Sequence, residues 1–154
     1  MRHLSLFVVI FALSFSGLGC GSHVKTGVSP TADIRNAAGK VEETGNVILK
    51  TVVKAQQDMP DRIKRETVDQ VALAINRLGH VGLDLNGAID AYLAAKAAGK
   101  DITLSRAAVQ KILTSVDDVM KEVGKALPPG TLQTVDQLVQ QVLGLVIQIR
   151  TEVL

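Results

Sequence analysis

Few residues in this sequence have the type and spacing that chemistry requires. The best combination is Asn76, His80 and Asp84, which recur every four positions and therefore share one face of a helix. A histidine and an aspartate four residues apart can present two ligands to a metal ion such as zinc. The other histidines, His3 and His23, lie near the N-terminus and supply no obvious third ligand. We interpret this face as a solvated polar stripe and predict no metal site.

Carboxylates also cluster, at Asp117, Asp118 and Glu122 and again at Glu42 and Glu43. Adjacent residues of a helix diverge by about 100°, so these side chains are not expected to converge on one cation. No G-x-S-x-G turn accompanies the serines, and no glycine-rich loop follows a predicted strand. The sequence therefore predicts a protein that is not an enzyme and that binds no cofactor.

A group of five basic residues surrounds the proline at position 60. Such a group could contact anionic headgroups or an acidic polymer. Four carboxylates are interleaved with it and largely cancel its field, so a solvated surface is the expected role. The basic residues are Lys50, Lys54, Arg62, Lys64 and Arg65, and the carboxylates are Asp58, Asp61, Glu66 and Asp69.

Composition narrows the possible functions further. The chain has 154 residues, a formal net charge of +2, 47% hydrophobic residues and a single cysteine. That length supports one domain with a core, and the near-neutral charge argues against a nucleic-acid binder. One cysteine excludes an internal disulfide framework. Phe7, Phe11 and Phe15 leave Tyr92 as the only aromatic residue beyond position 15, which argues against a stacking platform for bases or sugars.

The N-terminus has the pattern of a secretory signal peptide, which we assign to residues 1–19. A basic start, Met1-Arg2-His3, precedes 16 uncharged residues from Leu4 to Gly19. A membrane-spanning helix needs about 20 apolar residues, so a permanent span fits less well. We expect this segment to be removed from the mature protein.

The residues Gly17-Leu18-Gly19-Cys20 resemble the lipobox of bacterial lipoproteins, in which small or apolar residues precede a lipid-acceptor cysteine. Gly19 and Leu18 match that pattern, whereas Gly17 stands where the family prefers leucine. The resemblance covers about the first 22 residues and implies cleavage before Cys20, followed by attachment of lipid to its thiol. Gly21 is not the aspartate that favours inner-membrane retention, which implies an outer-membrane anchor facing the periplasm. Ordinary secretion, with a small-x-small cut and a free Cys20, is the alternative.

The rest of the chain is predicted to be a flexible tether, residues 20–29, followed by a helical domain, residues 30–154. The tether is rich in glycine, serine and threonine and has an expected reach of roughly 15–20 Å. Ser29 and Pro30 are predicted to begin the first helix, Thr103 or Ser105 the third and Thr131 the fourth. The second helix is expected from Asp61 to Ala98, ending at a left-handed Gly99.

Apolar residues recur at spacings of three and four in all four helices, which predicts an all-α antiparallel four-helix bundle. Similar five-residue stretches at Thr67–Val71 and Thr134–Leu138 allow an origin as two αα-hairpins, although chance repetition explains them as well. The second helix is expected to be the longest and either continuous or kinked between residues 79 and 87. The predicted core positions are Ile34, Ala38, Val41, Gly45, Ile48, Val52, Ala55 and Met59; Val68, Val71, Ile75, Leu78, Gly82, Leu85, Ile89 and Tyr92; Val109, Ile112, Val116, Val119, Val123 and Leu127; and Val135, Leu138, Val142, Leu145, Ile149 and Val153.

The fourth helix is the most informative surface. No charge occurs between Asp136 and Arg150, and its apolar arc is wider than a single seam. A peripheral helix normally carries charges on its outer face, so we expect this helix to be the most enclosed of the four, to self-associate or to bind a protein partner. The predicted contact face consists of Leu138, Gln141, Val142, Leu145, Gln148 and Ile149.

These observations predict a lipid-anchored, non-catalytic interaction or scaffolding module at the cell envelope, held on the membrane through Cys20. Two alternatives remain. The helices could enclose an acyl chain or another apolar ligand, or they could insert into a membrane.

Overall fold

The computed structural model of the protein describes residues 30–154. These residues form four α-helices: α1 (Pro30–Asp58), α2 (Arg65–Ala97), α3 (Thr103–Ala126) and α4 (Gln133–Val153). The predicted all-α four-helix fold is confirmed, and α2 is the longest helix. The predicted signal peptide, Cys20, the tether with His23 and the Ser29 cap lie outside the described residues.

The helices pack as a closed ring in chain order. Each helix contacts its two neighbours, α1 closes the ring against α4, and the diagonal pairs α1–α3 and α2–α4 make no comparable contact. Ion pairs show that consecutive helices run antiparallel. Arg35 near the start of α1 bonds Asp90 near the end of α2 at 2.7 Å, and Arg77 of α2 bonds Glu122 of α3.

The core of the bundle follows the predicted stripes closely in α1 and α2. Every predicted position from Ile34 to Ala55 is buried, as is every position from Val71 to Tyr92. The two end positions of these stripes, Met59 and Val68, are only half-buried. Tyr92, the aromatic residue of the bundle, is 1% exposed and lies in this core.

The predicted stripes of α3 and α4 need correction at three positions. Leu113 is fully buried in α3 where Ile112 was predicted, and Val146 is buried in α4 where Leu145 was predicted. Ile112, Leu138 and Leu145 are half-buried and pack against the edge of the core. Either member of each adjacent pair, Ile112 or Leu113 and Leu145 or Val146, fits a helical period of 3.6 residues. Which one is buried depends on where the neighbouring helices lie.

The turn between α2 and α3 is built as predicted around Gly99. This residue has φ of +63°, a conformation that a side chain would disfavour. The Lys100 N–H donates to the carbonyl of Ala95, and the Gly99 N–H donates to that of Lys96. These two bonds form a Schellman motif, which satisfies the last carbonyls of α2.

The helix starts differ from the predicted caps. Helix α3 begins at Thr103, whose backbone N–H and hydroxyl both donate to Asp101 Oδ1, at 2.8 and 2.6 Å. Asp101, rather than Thr103 or Ser105, therefore supplies the capping acceptor. Helix α4 begins after Leu132 rather than at Thr131.

Helix α2 begins at Arg65, four residues later than the predicted Asp61. Residues 59–64 instead form a turn whose apolar side chain, Ile63, is 1% exposed. Because Ile63 enters the core, it secures the turn to the bundle. Beyond Arg65 the helix is not broken at its three glycines, at positions 79, 82 and 87.

Candidate interaction surface on helix α4

The outer face of α4 is an exposed surface without charge. It follows the helical period in steps of three and four and runs nearly the full length of the helix. Ile147, 61% exposed, is its most prominent apolar side chain, and Gly144 makes its centre flat. The α4 outer face consists of Gln133, Gln137, Gln140, Gly144, Ile147, Gln148 and Thr151, all of which are exposed.

The contact face predicted from the sequence is not one surface. Val142 and Ile149 are fully buried in the core, and Leu138 and Leu145 are half-buried. Of the six predicted residues, only Gln141 and Gln148 are exposed. Helix α4 is also not the most enclosed helix, because the share of its residues that is buried is no higher than in the other three. The surface available to a partner is therefore the α4 outer face, with Gln141 beside it.

Local sequence explains which side of α4 faces outward. Val135, Val142 and Ile149 are separated by seven residues, and Val146 and Val153 complete the same face. This apolar side packs between α1 and α3. The opposite side consists mainly of glutamine, which is neutral and carries both a hydrogen-bond donor and an acceptor.

The exposed sides of the other helices are charged. Arg35, Lys40 and Lys50 are exposed on α1, and Asp118 and Lys121 are exposed on α3. Exposed residues of α2 include both signs as well. The neutral character of the α4 outer face is therefore a property of that helix rather than of the whole bundle.

The carboxylates of α3 do not converge on one point. Asp117 accepts a hydrogen bond from Arg150 at 3.0 Å, and Asp118 accepts one from Lys121 at 2.9 Å. Glu122 accepts two from Arg77, at 2.8 and 2.6 Å. The bond to Asp118 raises the pKa of the Lys121 ammonium above its ordinary value. Each carboxylate thus serves an ion pair, and two of these pairs link α3 to its neighbours.

Two of the three residues of the candidate metal site lie along a groove between α1 and α2. Asn76 and His80 line this groove of about 500 Å³ together with Glu42 and Asn46, whereas Asp84 does not. Leu49, Ile75 and Leu83 supply its apolar part. Within residues 30–154, no three side chains of histidine, cysteine, aspartate or glutamate are placed to hold a metal ion together.

The basic residues around position 60 lie at the end of the bundle opposite to Pro30. Arg62, Lys64 and Arg65 are exposed there, as are the carboxylates Asp61 and Glu66. Since α1 has 29 residues and rises 1.5 Å per residue, this turn is about 40 Å from the start of the helix.

None of the four described helices combines the length and the apolar character that a membrane span requires. In comparisons with known proteins, no family model, no curated protein and no solved structure matches the chain.

Proposed function

We propose that the protein is a lipid-anchored, non-catalytic interaction module of the bacterial cell envelope, attached to the outer membrane through Cys20. The lipobox-like residues Gly17–Cys20 support the anchor. The observation that carries the interaction role is the α4 outer face, which is exposed, neutral and about 30 Å long for its 21-residue helix.

The occupant that this face fits best is the same face of a second copy. Two copies anchored in one membrane stand side by side in the same direction, so a two-fold pair would place their α4 helices parallel. In a parallel pair each residue lies near its own counterpart, and every charge would meet a like charge. A face without charge avoids this repulsion.

Glutamine also suits such self-contact. Its amide both donates and accepts, so Gln137 or Gln140 can bond its own counterpart without a complementary residue. Gly144 has no side chain, and no other group lies within 4 Å of the position that its Cβ would take. The two helices can therefore approach closely at Gly144, and the Ile147 side chain of each copy contributes apolar area one turn further along the helix.

Disulfide crosslinking tests both the contact and its direction. Gln137→Cys and Thr151→Cys place one thiol near each end of the face in the full-length, membrane-attached protein. A parallel pair predicts that each variant forms a disulfide-linked dimer alone. An antiparallel pair would instead crosslink only when the two variants are mixed, which would contradict the proposal.

The controls are the parent chain, whose lipidated Cys20 has no free thiol, and Lys111→Cys, which places an exposed thiol on α3. Neither should crosslink. Equal dimer formation by Lys111→Cys would indicate random collision in the membrane and would overturn the assignment to α4.

Two observations favour the carrier function. A groove of about 300 Å³ between α3 and α4 is lined by Met120, Val139 and Leu143, with Asp117 and Lys121 beside them. The α3–α4 seam is also the least extensive of the four helix contacts. Acyl chains co-purifying with the protein, and lost after Leu143→Lys, would favour this second function.

A further inference from the structure

The end of the bundle at which α1 begins has a surface unlike the opposite end. Because consecutive helices are antiparallel, this end, here the Pro30 end, contains the start of α1, the turn between α2 and α3, and the end of α4. The most exposed large apolar side chain of the described residues, Leu104, lies here and is 86% exposed. It belongs to the first turn of α3, directly after the Gly99 turn.

Leu104 is not an isolated apolar residue. The last residues of α2 and the second turn of α3 add small apolar side chains that are also exposed, and the polar side chains of Lys100, Asp101 and Thr103 lie between the two groups. The α2–α3 corner consists of Ala97, Ala98, Leu104, Ala107 and Ala108, all of which are exposed. Leu104, Ala107 and Ala108 are spaced three and four residues apart and therefore share one face of α3. Exposed apolar residues that lie together and are bordered by polar ones are typical of a contact site.

Cations border this corner. Lys96, Lys100 and Arg106 lie between residues 96 and 106, against one carboxylate, Asp101, which leaves a net charge of +2 in this segment. The corresponding segment at the opposite end, residues 58–66, has three basic and three acidic residues and a net charge of zero. The carboxylate of Asp101 accepts a hydrogen bond from the backbone N–H of Thr103. Lys96 is exposed, and its ammonium lies over the Tyr92 ring, 5.5 Å from the ring centre.

The covalent chain connects this end to the proposed anchor. Ten residue steps separate Cys20 from Pro30, which span at most about 35 Å when fully extended. The opposite end of α1 is a further 40 Å or so away. A lipid on Cys20 therefore keeps the Pro30 end within about 35 Å of the membrane surface, whereas the opposite end is attached only through the length of the bundle.

We propose that the α2–α3 corner rests on the anionic headgroups of the membrane in which the protein is anchored. Leu104 enters the boundary between headgroups and acyl chains, and Lys96 and Lys100 contact the phosphates. The carboxylates Asp33 and Glu152 belong to α1 and α4 at the same end. The contact is therefore made by the α2–α3 side, which orients the bundle on the surface.

This inference rests on the proposed lipid anchor, and one experiment separates the two. Leu104→Cys and Leu73→Cys are each introduced into the full-length, lipidated protein and labelled with an environment-sensitive fluorophore. Leu73 is the matched control, because it is 67% exposed and lies near the other end of the bundle. The proteins are reconstituted in vesicles of phosphatidylglycerol and phosphatidylcholine that contain a brominated lipid as quencher.

Quenching at position 104 and none at position 73 is the expected result. The double variant Lys96→Gln, Lys100→Gln should lower the ratio of docked to undocked protein about 30-fold, because each lysine near an anionic surface contributes about fivefold. Equal quenching at both positions, or none at position 104 in protein that stays on the vesicles, overturns the docking alone. If the parent chain carries no lipid and does not float with the vesicles, the proposed lipid anchor is wrong, and so is the docking that depends on it.

Discussion

Gly45 of α1 lies against Leu78 of α2 so closely that a Cβ atom at position 45 would be 2.5 Å from Leu78 Cδ2. Leu78 is fully buried, so its side chain would have to shift within the core to admit that atom. The glycine therefore determines how closely α1 and α2 pack. This contact provides the most direct test of the core packing.

Gly45→Ala should lower the free energy of unfolding by about 1 kcal/mol. Overpacking costs about 1–3 kcal/mol, and the better helix propensity of alanine offsets about 1 kcal/mol of it. Gly39→Ala, on the same helix but with no group within 4 Å, should instead raise the free energy of unfolding by about 0.5–1 kcal/mol. Urea denaturation measures both changes, and stabilisation by both variants would contradict the observed contact.

The orientation of α3 can be tested at two adjacent residues. Leu113→Ala should cost about 2–5 kcal/mol, because Leu113 is fully buried and its loss leaves a cavity. Ile112→Ala should cost less than half of that, since Ile112 is only half-buried. The reverse order in thermal or urea unfolding would mean that the helix is rotated by one residue.

Asp101 should titrate at low pH. Its hydrogen bonds from the Thr103 hydroxyl and backbone N–H hold the pKa of this carboxyl below its ordinary value of 3.8. A lowered pKa in the folded state means that the stabilisation is complete above the unfolded pKa and is lost as the pH falls through the folded one. An NMR titration of Asp101 and of the Thr103 amide should give a midpoint below 3.8, and Thr103→Ala should raise it. A midpoint above 3.8 would indicate that the cap is not formed.

Charge introduced on the α4 outer face should weaken self-association. Ile147→Lys would place two ammonium groups opposite each other in a parallel pair, and we expect the dimer dissociation constant to rise at least about tenfold. Mixing this variant with Ile147→Glu should restore association, because opposite charges then meet. Analytical ultracentrifugation in detergent measures both. Association that is unchanged in Ile147→Lys, in Ile147→Glu and in their mixture would exclude this face as the contact.

Much of the fold follows from local sequence signals. Gly99 predicts the end of α2 because few other residues adopt the left-handed conformation, and the strict spacing from Val71 to Tyr92 predicts the buried face of a continuous helix. Both signals depend only on the backbone and on one helical period. Together with the apolar stripes of the other three helices and the short breaks between them, they predict a four-helix antiparallel bundle.

The remaining details depend on contacts between helices. Ile112 and Leu113 fit the helical period equally well, and only the positions of the neighbouring helices place Leu113 in the core. The cap of α3 was missed because Asp101 bonds Thr103 from just before the helix, outside the usual Ser/Thr pattern. In α4, glutamines are the commonest exposed residues, whereas the apolar residues of the predicted contact face are buried or half-buried. The positions of the glutamines within the uncharged stretch were the sequence signal for this surface.

The direction of the α4 pair and the docking of the Pro30 end both depend on lipid attachment to Cys20. Metabolic labelling with a radioactive fatty acid, followed by membrane fractionation of the full-length protein and of Cys20→Ser, measures it directly. The parent chain should carry the label and fractionate with the outer membrane, and Cys20→Ser should lose both properties. A parent chain without label, or a Cys20→Ser variant that fractionates with the outer membrane as before, would contradict lipid anchoring through Cys20.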